Sequence, residues 1–182
     1  AVSGAPYNLS LTTDFNGAEL SSAASANGGT INFTQDSNTQ FHFDYSLALT
    51  QYVFAQAGYG YFDEDPPHDF IGTPHNLGSS VTLAATGPNQ KKLKVEVVDT
   101  GGRKASFYLL LTGSAQNYTL PLVGAHMPGG FNTAEIALVN AVSEFTQMGS
   151  SGSVQVEARG FNYIPAVSGA PYNLSLTTDF NG

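Results

Sequence analysis

The sequence predicts an all-β protein, a two-sheet antiparallel jelly-roll β-sandwich, on three observations. Apolar and polar residues alternate with period two through most of the chain, no stretch sustains a helical repeat over three turns, and Gly and Pro punctuate about ten short strand-like runs. Alternation gives each strand one wet and one dry face. Ten such strands bury their dry faces most simply by stacking two sheets.

In chain order, Tyr7, Leu9 and Leu11 alternate with Asn8, Ser10 and Thr12, and Ile31 with Phe33 marks a second strand. Phe41, Phe43, Tyr45 and Leu47 then form an apolar face opposite His42, Asp44 and Ser46, and residues 52–62 read as the partner of that strand. DEDPPHDF, residues 63–70, holds two prolines and four carboxylates, which suits an exposed loop and not a sheet interior. Strand character resumes near Val81. Residues 91–98 and 104–111 flank Asp99-Thr100-Gly101-Gly102-Arg103, a Gly-rich turn between two alternating runs, and predict a β-hairpin. Runs at 118–122, 135–142 and 154–159 complete the set, with GAHMPGG as the longest late loop.

Ala1–Gly17, AVSGAPYNLSLTTDFNG, recurs letter for letter as Ala166–Gly182. A perfect match of this length implies a repeat with a period of 165 residues, or an engineered duplication. The expected organisation is one jelly-roll unit, 1–165, followed by the opening segment of the next, 166–182, as a strand donated to a neighbour. Tyr172, Leu174 and Leu176 would carry that assembly contact. The joint IPAVSGAP, residues 164–171, has two prolines and a glycine and reaches at most roughly 25 Å, enough to lay the following strand on an adjacent sheet.

Cysteine is absent, which excludes disulfide frameworks, thiolate metal sites and cysteine nucleophiles. The net charge of −8 argues against nucleic acid as a partner, and no apolar run is long enough for a membrane helix. Charge is unevenly spread. Residues 1–90 hold eight carboxylates and no Lys or Arg, whereas Lys91, Lys92, Lys94, Arg103 and Lys104 crowd together, either as a solvated hairpin or as an edge that docks on an acidic neighbour. Scarce charge with abundant Gly, Ser, Thr, Asn and Tyr points to an extracellular or cell-surface β-protein.

LKVEVVDTGGRKASFYLLLTGSAQNYTLPL, residues 93–122, resembles the central hairpin of galactose-binding-like jelly-roll modules, the group containing many carbohydrate-binding modules. TTDFNG, FHFDYSL, EIALVNAV and VQVEARGF follow the same order, so the resemblance spans most of the 165-residue unit. It implies a non-catalytic extracellular module, often in tandem, sometimes with a structural calcium. The chain departs from sugar-binding members in lacking Trp. Tyr offers the same apolar ring face with a polar tip, and Tyr52, Tyr59 and Tyr61 are the candidate platform, against the alternative that they pack the core and its rim.

Asp63, Glu64, Asp65 and Asp69 place four carboxylates within seven residues, the oxygen-rich donor set that calcium requires, although no EF-hand spacing is present. A solvated acidic loop is the alternative. Asp14 with Glu19 is a second oxygen-rich pair. His42-Phe43-Asp44 with His126 has the composition of an iron facial triad, but no basic residue lies between His126 and Arg159 to hold a co-substrate carboxylate. A surface pair of His42 with Asp44 is the simpler expectation. His68 and His75 match no zinc spacing, no Gly-x-Ser-x-Gly elbow occurs, and Glu96, Glu135 and Glu157 are expected to face solvent. Asn-x-Ser/Thr triplets occur at Asn8, Asn32, Asn117 and Asn173.

The sequence therefore supports a non-catalytic structural or adhesive repeat module whose partners are copies of itself, with a carbohydrate-binding module as the alternative and polysaccharide as its ligand.

Overall fold

The computed structural model describes residues 7–8, 19–37, 39–49, 53–60, 75–159 and 162–165. Thirteen strands and one helical turn are present among them: Tyr7–Asn8 (β1), Glu19–Ala24 (β2), Gly29–Gln35 (β3), Gln40–Leu47 (β4), Phe54–Gly60 (β5), His75–Asn76 (β6), Ser80–Thr86 (β7), Lys92–Asp99 (β8), Lys104–Leu110 (β9), Gln116–Pro121 (β10), Ile136–Glu144 (β11), Phe145–Met148 (α1), Ser151–Ala158 (β12) and Asn162–Pro165 (β13).

Every strand pairing is antiparallel, and the strands form two sheets. The first has the lateral order β9–β8–β11–β5–β2. The second has the order β10–β7–β12–β4–β3. Ile136 pairs with both Asp99 of β8 and His75 of β6, and Leu138 with both Val98 of β8 and Gly60 of β5, so β5 and β6 share the edge of β11 opposite β8. Beyond β6 the first sheet continues through β13 to β1.

The pairings are nested: β8 with β9, β7 with β10, β5 with β11 and β4 with β12. That is a long hairpin folded over so that successive strands fall alternately into the two sheets, which is the jelly-roll topology. β2 and β3 extend the two sheets at the edges of β5 and β4. The expected partnership of residues 52–62 with β4 is corrected here. β4 lies between β12 and β3, and β5 crosses into the opposite sheet, because each has a fully apolar inner face to bury against the other.

Period-two alternation fills the space between the sheets. Phe41, Phe43, Tyr45 and Leu47 of β4 are buried, as are Leu93, Val95 and Val97 of β8 and Val154 and Val156 of β12. Phe41 meets Phe33, Phe43 and Tyr59, the last edge-on with ring centroids 5.3 Å apart. Tyr45 donates its hydroxyl proton to the Met148 carbonyl at 3.0 Å at the end of α1, and burial pushes its pKa up to about 12.

The hairpin tip is locked by one carboxylate. Asp99 is fully buried and accepts hydrogen bonds from the Arg103 backbone N–H at 2.8 Å, Arg103 Nη1 at 3.0 Å and the Asn132 N–H at 3.0 Å. Burial alone would raise its pKa, and these donors hold it below the usual carboxylate value instead. Gly102 takes φ +75°, where a side chain would be strained, and its N–H closes the turn on the Asp99 carbonyl.

Candidate functional site

On the outer face of the first sheet, pairing sets side chains side by side. Gln56, Val142, Lys94 and Tyr108 form one row across β5, β11, β8 and β9. Gly58, Asn140, Glu96 and Ser106 form the next. The bare backbone of Gly58 lets the Asn140 side chain lie against β5, since a Cβ there would collide with the Val139 carbonyl and the Asn140 side chain. Asn140 is buried, and Tyr108 at the end of its row is 51% exposed.

Four charges knit this face together. Lys94 Nζ bridges Glu96 Oε1 and Glu144 Oε1, each at 2.8 Å, and Lys104 Nζ reaches Glu96 Oε2 at 2.7 Å. Burial alone would raise the Glu96 pKa, but hydrogen bonds from Lys104 and Lys94 outweigh it and hold the carboxyl below its ordinary range. For Lys94, burial would lower the pKa, and the bonds to Glu144 and Glu96 instead hold the ammonium well above its ordinary value. Lys94 and Glu96 are thus both ionised at neutral pH. The face offers fixed donors and acceptors beside an accessible aromatic ring, which is the combination that the apolar C–H face and the hydroxyl rim of a sugar engage.

Of the predicted platform, Tyr59 is corrected. It points inward from β5, is 1% exposed, packs on Phe41 and donates to the Thr39 carbonyl at 2.6 Å, so neither ring face is open to a ligand. Tyr52 and Tyr61 lie outside the described residues, as do Asp63, Glu64, Asp65 and Asp69 of the acidic loop and Tyr172, Leu174 and Leu176 of the second copy.

His42 does sit on the polar outer face of the second sheet, but it bonds Asp36 at 2.8 Å, not Asp44. Asp36 follows β3, and the turn into β4 brings it alongside. His126 is placed elsewhere, with Nε2 on the Pro121 carbonyl and the ring edge-on to Phe107. Among the described residues no group of three or more His, Cys, Asp or Glu is placed to hold a metal ion, and no helix is long and apolar enough to cross a membrane. Glu157 pairs with Arg159, and Glu135 accepts from the Thr100 hydroxyl. Glu96 is a further correction: expected in solvent, it is 6% exposed between two lysines.

Tyr108 and the Lys94–Glu96–Lys104–Glu144 lattice were not singled out by sequence reasoning. The available signal was that Lys94 and Glu96 occupy the polar phase of β8 and Tyr108 the matching phase of β9. Glu144, 50 residues away from Lys94, enters only through strand pairing.

No family model matches the chain, and no curated protein matches it. Solved structures similar to it include an exo-β-agarase, with a TM-score of 0.46 and 11% identity over 79% of this chain. This chain spans 24% of the agarase. Also similar are two variants of a family 29 carbohydrate-binding module. One, complexed with cellulohexaose, has a TM-score of 0.45 and 10% identity over 79% of this chain and 78% of that one. The other, complexed with mannohexaose, has a TM-score of 0.45 and 11% identity over 80% and 83%.

Proposed function

We propose that this jelly-roll unit is a non-catalytic carbohydrate-binding module of a secreted or cell-surface protein and that the outer face of the first sheet takes the polysaccharide. The observation that carries the reading is the half-exposed Tyr108 ring beside the fixed Lys94–Glu96–Lys104–Glu144 lattice. The lattice beside Tyr108 holds two lysines and two glutamates, which favours a neutral sugar chain over an acidic one, and binding should depend only weakly on salt. A glycan array supplemented with cellulohexaose and mannohexaose tests this. Retention that falls at least tenfold in Tyr108→Ala, with folding unchanged, supports it; a blank array, or binding that Tyr108→Ala leaves intact, overturns it.

A structural or adhesive repeat is the second reading, favoured by the 17-residue identity of the two termini. Under it, copies of the module are the partners, and deleting residues 166–182 should disperse any oligomers. Calcium at Asp63, Glu64, Asp65 and Asp69 is compatible with either reading and is tested by calorimetric titration with calcium chloride.

A further inference from the structure

β1 is a two-residue strand at the end of the first sheet, with Tyr7 opposite Tyr163 and Asn8 opposite Asn162 of β13. The same Tyr-Asn dipeptide, inside the same 17 residues, returns at Tyr172-Asn173. Whatever main-chain groups the edge of β13 presents to the first copy, it presents to the second. Only residues 166–171 separate β13 from Tyr172, and a chain that reverses over them brings Tyr172 opposite Tyr163 and Asn173 opposite Asn162. That antiparallel pairing would have the register β1 uses, and its midpoint falls between Val167 and Ser168, with Gly169 next in the connection. Proline precedes Tyr in both copies and is tolerated at a sheet edge.

We infer that the outer edge of β13 is a docking slot for this 17-residue segment, and that the C-terminal copy of the same chain occupies it in exchange with Tyr7–Asn8. The first copy is tethered through residues 9–18 to β2, the second through 166–171 to β13 itself. Loop closure separates ten intervening residues from six by only about twofold, so both docked states are populated. Where the unit recurs along a chain, the exchange passes a strand from one unit to the edge of the one before it. This property is independent of sugar binding at Tyr108.

Disulfide trapping in the full chain tests it, since the protein has no cysteine of its own. Directly opposed residues of an antiparallel pair sit within disulfide reach. Tyr163→Cys with Tyr7→Cys reports the first copy, and Tyr163→Cys with Tyr172→Cys the second. Both should give intrachain bonds in a monomer, with yields within about threefold of each other. Tyr163→Cys with Leu174→Cys, two residues out of register, should form at least tenfold more slowly. Deleting residues 1–8 should raise the Tyr172→Cys yield about 1.5-fold, since the copy on the shorter tether already holds about two thirds of the edge. The inference is overturned by a Tyr172→Cys bond no faster than the Leu174→Cys one, by bonds between chains instead of within one, or by a yield indifferent to that deletion.

Discussion

Replacing Glu96 with Gln tests the charge lattice directly, because the amide keeps the side-chain shape and removes only the charge. Glu96 holds two lysines that differ in exposure. The Lys94 side chain is 18% exposed and that of Lys104 50%. A charge-assisted bond in the buried arm contributes about 1.5 to 3 kcal/mol, and the half-exposed arm about 0.5 kcal/mol after screening. Lys94 retains Glu144 in the variant, so the ~3 to 5 kcal/mol cost of an orphaned buried charge does not arise in full. We predict a net loss of about 2 kcal/mol at pH 7, a fall in Tm of about 4 to 8 °C for a chain of this size. The pH dependence supplies a second reading. Because the folded pKa of Glu96 lies below its ordinary 4.5, the stabilisation is complete above pH 4.5 and drains away as pH falls through the lower folded value. Urea denaturation of both proteins from pH 7 to pH 3 measures this. The two curves should converge on acidification. A loss under ~0.5 kcal/mol at pH 7, or a gap that stays constant down to pH 3, would refute the reasoning.

Asp99→Asn presents an amide N–H to donors that now meet a carboxylate, and should cost about 2 to 4 kcal/mol by denaturation; a variant as stable as the parent would contradict the hairpin lock. Among the described residues the buried Ser143 hydroxyl has no hydrogen-bond partner, so Ser143→Ala should be neutral or stabilising by about 1 kcal/mol, and a clear loss in Tm would show that the hydroxyl is satisfied. Tyr45 has a folded pKa raised from 10.0 to about 12, so its contribution is intact below pH 10 and is lost as pH rises through 12, by about 2 to 3 kcal/mol. Tyr45→Phe should be less stable than the parent at pH 7 and should close that gap by pH 11.5 in guanidinium titrations; a gap independent of pH would rule the account out.

The strands legible in the sequence are those whose alternation is strong and whose partners are close. β4 shows its four inward apolar residues, and β8 with β9 announces itself through the turn between them. β2, reading ELSSAA, is too small and polar to stand out, while β6 and β13 have two and four residues and exist only by virtue of their pairing. The same limit hid the candidate site. Alternation tells that Lys94 and Glu96 share a face, but not that Glu144 completes it, and not that Tyr59 lies on the inner phase of β5 against Phe41. Phase relative to a core is set by strands far away in sequence.

Nested pairing also orders the folding of this chain. The β8–β9 hairpin closes a turn of four residues, whereas β4 and β12 come together only after most of the intervening chain is in place. If pairs form from the tip outward, each closure adds a short increment of loop instead of the whole separation, which lowers the entropic barrier of a topology otherwise slow to assemble. Conservative truncations at Val95 or Phe107 should then slow folding, and those at Phe43 or Val154 should mainly speed unfolding. In stopped-flow experiments the reverse pattern would mean that closure of the sandwich comes first. Growth from the tip leaves the short outer strands β13 and β1 to settle last, so that in a growing polypeptide that edge of the first sheet is completed after the rest of the sandwich has formed.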